Sequence, residues 1–165
     1  PGTNNTTIAT TAFTTAAVTA VTTNGTLTTP TISNALITGI RETITVSATA
    51  ATGTINFDTL TQAVLYYTTN ASGNWTLNVR GNSGTTLNSV MATGQSLSIT
   101  FRATQGGTAD YNNVLTIDGS AVTPKWQGGT APTSGNTSGI DVYTYAIVKT
   151  ASATFTVFAS QTKFA

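Results

Sequence analysis

From residue 41 onward the chain alternates apolar and polar side chains with a period of two. In "ETITVSA", Ile44, Val46 and Ala48 alternate with Thr43, Thr45 and Ser47. In "NWTLNVR", Trp75, Leu77 and Val79 alternate with Asn74, Thr76, Asn78 and Arg80, and in "SLSITFR", Leu97, Ile99 and Phe101 alternate with Ser96, Ser98, Thr100 and Arg102. Successive side chains of a strand point to opposite faces, so each segment reads as a half-buried strand. "TQAVLYYTT" and "YTYAIVKT" are more continuously apolar, the pattern of strands covered on both faces. Turn clusters rich in Gly, Asn, Asp and Ser separate them: "TNASGN", "RGNSGTT", "ATGQ", "TQGGTAD", "IDGS" and "QGGTAPTSGNTSG". Roughly eight strands at spacings of about 10–15 residues, with no helical period after residue 25, predict an all-β domain over residues 40–165. Its expected form is a β-sandwich or jelly roll of antiparallel strands. Residues 142–148 and 154–159, hinged at "KTASAT", are expected to close the sheet as a final hairpin.

Residues 1–39 follow a different rule. In "PGTNNTTIATTAFTTAAVTAVTT", Ile8, Ala12, Phe13, Ala16, Ala17, Ala20 and Val21 recur at spacings of three and four, a helical stripe with Asn4, Asn5 and Thr6 available as caps. Its other face is Thr, a poor helix former, and a lone helix of this length is marginal in water. The stripe gains a partner if Ile8, Ala12, Phe13, Ala16 and Ala20 pack on copies of themselves, which predicts an interface between copies there. A Pro-containing connector, residues 24–39, follows, and Pro30 excludes a continuous helix or central strand across it. Pro1 reads as a processed or excerpted start.

Composition narrows the chemistry. Charged residues are 7 % of the chain, where about a quarter is usual. Six Lys and Arg nearly balance five Asp and Glu, and Arg41, Arg80, Arg102, Lys125, Lys149 and Lys163 lie far apart. No basic run exists to displace counterions from a phosphate backbone, so nucleic acid is not an expected partner. No apolar stretch approaches the roughly eighteen residues of a membrane-spanning helix, and no membrane insertion is expected. About a quarter of the residues are Thr, a β-branched residue that favours strands and keeps a surface wet without charge.

The chain has no His and no Cys, which removes the commonest general base, the commonest transition-metal ligand and all thiolate chemistry. Glu42, Asp58, Asp110, Asp118 and Asp141 are scattered and stand mostly beside turn residues. A glycosidase needs two facing carboxylates, and a calcium loop needs several acids at alternating positions. Ser and Thr lack a base, and pieces such as "QGGTAD" lack the Lys and the strand–helix setting of a phosphate cradle. No catalytic residue, metal site or cofactor is therefore expected. The Asn-x-Ser/Thr sequons at Asn4, Asn5, Asn24, Asn70, Asn74 and Asn136 read as incidental in so Asn- and Thr-rich a chain.

Aromatic residues remain. Trp75 lies on an apolar strand face and is expected in the core. Trp126, in "TPKWQGG", stands at a strand end next to Lys125 and the long loop of residues 127–139, and Tyr111 lies in "ADYNN". Aromatic faces stack on sugar rings, so Trp126, Lys125 and Tyr111 are the candidate receptor contacts.

"NNTTIATTAF" resembles a motif of bacteriophage tail fibres, where a segment similar to it forms a short trimerising helix at the edge of a fibre shaft. "NGTLTTPTISNALI" is similar to the Thr-rich connectors that follow it. "AVLYYTTNASGNWTLNVRG", "TGQSLSITFRATQG", "IDGSAVTPKWQGG" and "SGIDVYTYAIVKT" resemble a terminal domain of virion structural proteins of marine and cyanobacterial phages. The resemblance implies a homotrimeric, β-rich, non-enzymatic component of the virion exterior. Its partners would be itself, other virion proteins and a host-surface glycan, and it carries no catalytic residues and no cofactor. A fibre-tip role in host attachment is the first reading. A capsid decoration or head-fibre role, which fits so short a leader, is the second.

Overall fold

Ten short strands succeed one another in the computed structural model, which describes Gly39 and residues 41–165. The helical stripe of Ile8, Ala12, Phe13, Ala16 and Ala20 and the connector before Gly39 lie outside the described residues. The strands are β1 (Ile44–Ala50), β2 (Gly53–Asp58), β3 (Val64–Thr69), β4 (Trp75–Arg80), β5 (Ser96–Thr104), β6 (Asn112–Ile117), β7 (Ser120–Val122), β8 (Lys125–Trp126), β9 (Ile140–Ala151) and β10 (Thr154–Phe164). A single helical turn, α1 (Leu87–Val90), interrupts the run between β4 and β5, and a 3-10 turn, Gln127–Gly129, follows β8.

The chain winds between two sheets. β1, β3 and β5 fall in a six-stranded sheet of order β1-β3-β5-β9-β10-β8, while β2, β4 and β6 fall in a four-stranded sheet of order β2-β4-β6-β7. Because each of β1 to β5 is followed by a strand in the opposite sheet, the neighbours β1–β3, β3–β5, β2–β4 and β4–β6 run parallel. β8 also runs parallel to β10. Antiparallel pairing is confined to β5–β9, β9–β10 and β6–β7. The all-β class therefore holds, with both sheets mixed, and the antiparallel arrangement expected from the sequence holds only in the second half of the chain. Alternation has the same period in parallel and antiparallel strands, so it carries no information on direction. The final hairpin is present: Ile147 pairs with Val157 and Tyr145 with Ala159.

The two sheets share one core. Trp75, Leu77 and Val79 of β4 and Ile99 and Phe101 of β5 are fully buried in it, as their alternation predicts. Trp75 meets Phe101 and Tyr143 edge-on, with ring centroids 5.7 Å apart in both pairs, the arrangement favoured by the aromatic quadrupole. β1 departs from the pattern. Ile44 and Val46 are 42 % and 61 % exposed, because the register Ile44↔Val64↔Thr100 places them in a row that faces away from the core. The turn "IDGS" carries two left-handed residues, Asp118 and Gly119 (φ 51° and 80°), which suits the tight turn of the β6–β7 hairpin.

Candidate functional site

Trp126 sits where the chain crosses from the four-stranded to the six-stranded sheet. β7 ends at Val122, Thr123 and Pro124 make the crossing, and β8 pairs Lys125 with Phe158 and Trp126 with Ala159. Pro124 has no N–H to offer a ladder. Beyond Trp126 the backbone turns through Gly128 and Gly129, both left-handed (φ 75° and 79°), a conformation that a Cβ would strain. β8 is thereby limited to two residues, and Trp126 is held at the sheet edge on a short, sharply bounded segment.

The small side chain of Ala159 leaves room for the indole, which stands half-buried and edge-on to Tyr145 at 6.2 Å. That wall is rigid. Tyr145 Oη donates to Asn112 Oδ1 at 2.9 Å, and Asn112 Nδ2 donates to the carbonyls of Trp75 and Val114. Tyr143 Oη accepts from Asn112 N and from Gln161 Nε2. Burial pushes the Tyr143 and Tyr145 hydroxyls well above the usual tyrosine range, so both stay protonated at any working pH.

Trp126 separates two clefts. The first, about 270 Å³, lies between Trp126, Val122 and Pro132, with Asn112 and Asn113 as its amide groups. The second, about 360 Å³ and more open, is bounded by Trp126, Lys125 and Gln127 of the β8 segment and by Thr144, Phe158 and Ser160 of the sheet. Phe158 is 50 % exposed. Among the described residues that line the clefts, Lys125 is the one charged residue and none is acidic. An apolar platform edged by neutral hydroxyl and amide groups can stack on a ring and hydrogen-bond its substituents.

The structure brings Lys125 and Trp126 together but places Tyr111 elsewhere. Tyr111 is half-buried against the core, its N–H donating to Asn74 Oδ1 at 3.0 Å, and it lines neither cleft. The long loop of residues 127–139 lacks bulky apolar side chains, yet residues 134–139 are fastened to the domain by hydrogen bonds of their main chain. Gly135 N donates to Ala109 O (3.1 Å) and Ser138 N to Gly106 O (2.8 Å). Gln161 Nε2 donates to Ser134 O, Lys163 Nζ to Gly135 O and Asn136 Nδ2 to Phe164 O. Asp141, fully buried, accepts from Asn136 N (3.0 Å) and Gln105 Nε2 (2.9 Å). The loop carries the chain from β8 past the end of β10 to the start of β9, and its polar backbone seals that end of the core.

Two of the other acids also have structural partners. Asp58 pairs with Arg80 at 2.6 Å, and Asp118 accepts from the N–H groups of Leu87 and Asn88 at the start of α1. Among the described residues no three acidic, His or Cys side chains gather where a metal would bind. Comparison of the chain with protein-family models, with curated proteins and with solved structures gives no match. Phe158, Thr144 and Ser160 were not singled out from the sequence. Phe158 had a signal: it is a bulky apolar residue flanked in its phase by the polar Thr154, Thr156, Ser160 and Thr162.

Proposed function

We propose that the chain is a non-enzymatic structural protein of a phage virion exterior, a trimeric fibre-like component that attaches to neutral or weakly acidic glycans of a host surface. The observation that supports it best is the Trp126 platform: an aromatic side chain held on a rigid wall between two open clefts whose linings contain Lys125 and otherwise neutral groups. Sugar rings present apolar faces bordered by hydroxyls, and such a surface matches them. Three copies would raise a modest affinity per site by avidity, commonly ~10²–10⁴-fold where the sites can be reached together. The reading as a virion protein rests on the sequence resemblance, and the interfaces to other virion proteins belong to the same proposal.

Absence of catalysis is part of the proposal. Asp58, Asp118 and Asp141 are engaged in an ion pair, a helix cap and a loop anchor, and none stands opposite a second carboxylate in the Trp126 clefts. A second reading, a capsid decoration, draws support from the fastened loop, since residues 134–139 serve to close the domain and leave fewer free groups for a receptor.

The test is binding of the full chain to a panel of immobilised neutral and acidic glycans. Trp126→Ala should weaken binding by at least ~30-fold, the effect of removing a central aromatic contact, while Trp126→Phe retains part of it. No binding to any glycan of the panel, or equal binding by the Ala variant, would favour the decoration reading.

A further inference from the structure

We infer that the outward face of the six-stranded sheet, at its β1–β3 end, is an interface between copies of this chain. β1 carries its apolar residues on the wrong side for a monomer: Ile44 and Val46 face out, while Thr45 and Ser47 lie on the core side. The pairing runs unbroken from Ile44↔Val64 to Ser47↔Tyr67, so the orientation is set by a regular ladder rather than by a loose end. A strand beside a core normally takes the register that turns its apolar set inward, and a slip of one residue would have done so here.

The neighbours extend the patch. Ile44 stands beside Val64, and Val46 beside Tyr66. Val64 is only 8 % exposed yet lies outside the core cluster. Single exposed apolar residues mean little, but the exposed Ile44 and Val46, with the half-buried Tyr66 beside them, form a contiguous apolar patch of the kind that marks an interaction surface. β3 also reads as a strand covered on both sides, and among the described residues only its inner side meets the core.

Charge and connectivity select a second copy as the occupant. The patch is bordered by Arg102, in the row of Val46 and Tyr66, and by the exposed Glu42 just before β1. These are opposite in sign, so one copy can set Glu42 against the Arg102 of another. Residues 1–40, which carry no charge, precede β1 in the chain. The inference rests here on the oligomeric reading proposed above. Trp126 stays clear, because β1 and β10 are four strand spacings apart, about 19 Å.

The experiment is sedimentation velocity of the full chain and of Val46→Asp, an exposed position whose change should leave the fold intact. The variant should dissociate at concentrations at least ~100-fold higher than the wild type does, with unchanged circular dichroism. Since the chain has no Cys, Val46→Cys supplies a single thiol as a second probe. In the assembled protein it should react with a maleimide at least ~10-fold more slowly than Thr54→Cys, a control on the exposed side of the other sheet. An oligomer indifferent to Val46→Asp, or equal labelling of the two thiols, overturns the interface and leaves an oligomer joined elsewhere. A wild-type chain that is monomeric at micromolar concentration overturns the oligomeric reading as well. Loss of glycan binding by Trp126→Ala is independent of every one of these outcomes.

Discussion

Gly135→Ala is the substitution whose cost the structure defines most closely. Gly135 is a buried residue of the loop that seals the core, and a Cβ there would overlap the carbonyl oxygen of Asp110. It would also stand 2.5 Å from Asp141 Oδ2 and 2.8 Å from Gln105 Nε2. Backbone bounds the site on one side, and on the other stand two side chains already committed to each other at 2.9 Å. The loop must therefore move, at the expense of Gly135 N to Ala109 O (3.1 Å), Asn136 N to Asp141 (3.0 Å) and Gln105 to Asp110 O (2.7 Å). At about 1 kcal/mol net for each hydrogen bond and 1–3 kcal/mol for overpacking, with part of the strain relieved by the movement, the loss is about 2–4 kcal/mol. That lowers Tm by roughly 8–16 °C for a domain of this size. Thermal unfolding followed by circular dichroism measures it, with Gly107→Ala as control, since nothing lies within 4 Å of a Cβ there. If Gly135→Ala melts with the control, the loop is not fastened as described.

Asp141 should make stability depend on pH. Burial raises its carboxyl above the ordinary range, and the Asn136 N–H, Gln105, Lys163 and Gln161 only partly offset this. The folded protein thus holds this proton more tightly than the unfolded chain. The contribution is complete below about pH 4, the ordinary carboxylate pKa, and is lost as pH rises through the raised value. Asp141→Asn should remain folded and remove that part of the slope; urea titrations across pH 4 to 8 with identical slopes in both proteins would refute it. Ala153, in the β9–β10 turn, is left-handed (φ 49°), and Ala153→Gly should stabilise by about 0.5 kcal/mol, the strain relieved less the extra freedom of Gly in the unfolded chain. A lower urea midpoint for the Gly variant would show that the turn is not strained.

The legibility of the fold varied along the chain for identifiable reasons. In β4 and β5 the buried set Trp75, Leu77, Val79, Ile99 and Phe101 was readable because one sheet face meets the core and the other meets water. Strand direction was not readable, since β2–β4–β6 could be parallel or antiparallel with the same side-chain pattern. β1 misled because its apolar phase belongs to the outer face. At the site, Trp126 and Lys125 were visible as an aromatic–basic pair beside a Gly-rich turn. Phe158 and Thr144 reach the same cleft only through the β8–β10–β9 pairing, separations that no local pattern encodes. The fastening of residues 134–139 was hidden because it uses main-chain groups, which every residue but Pro possesses in full.

Competition for virion adsorption tests the central claim most directly. Virions carrying this chain would be mixed with their host cells in the presence of excess purified wild-type chain or of Trp126→Ala, each checked for folding by circular dichroism. The wild-type chain should slow adsorption by occupying surface glycans, and Trp126→Ala should leave the adsorption rate at that of virions alone. Equal inhibition by the two proteins, or none by either, would contradict attachment through Trp126.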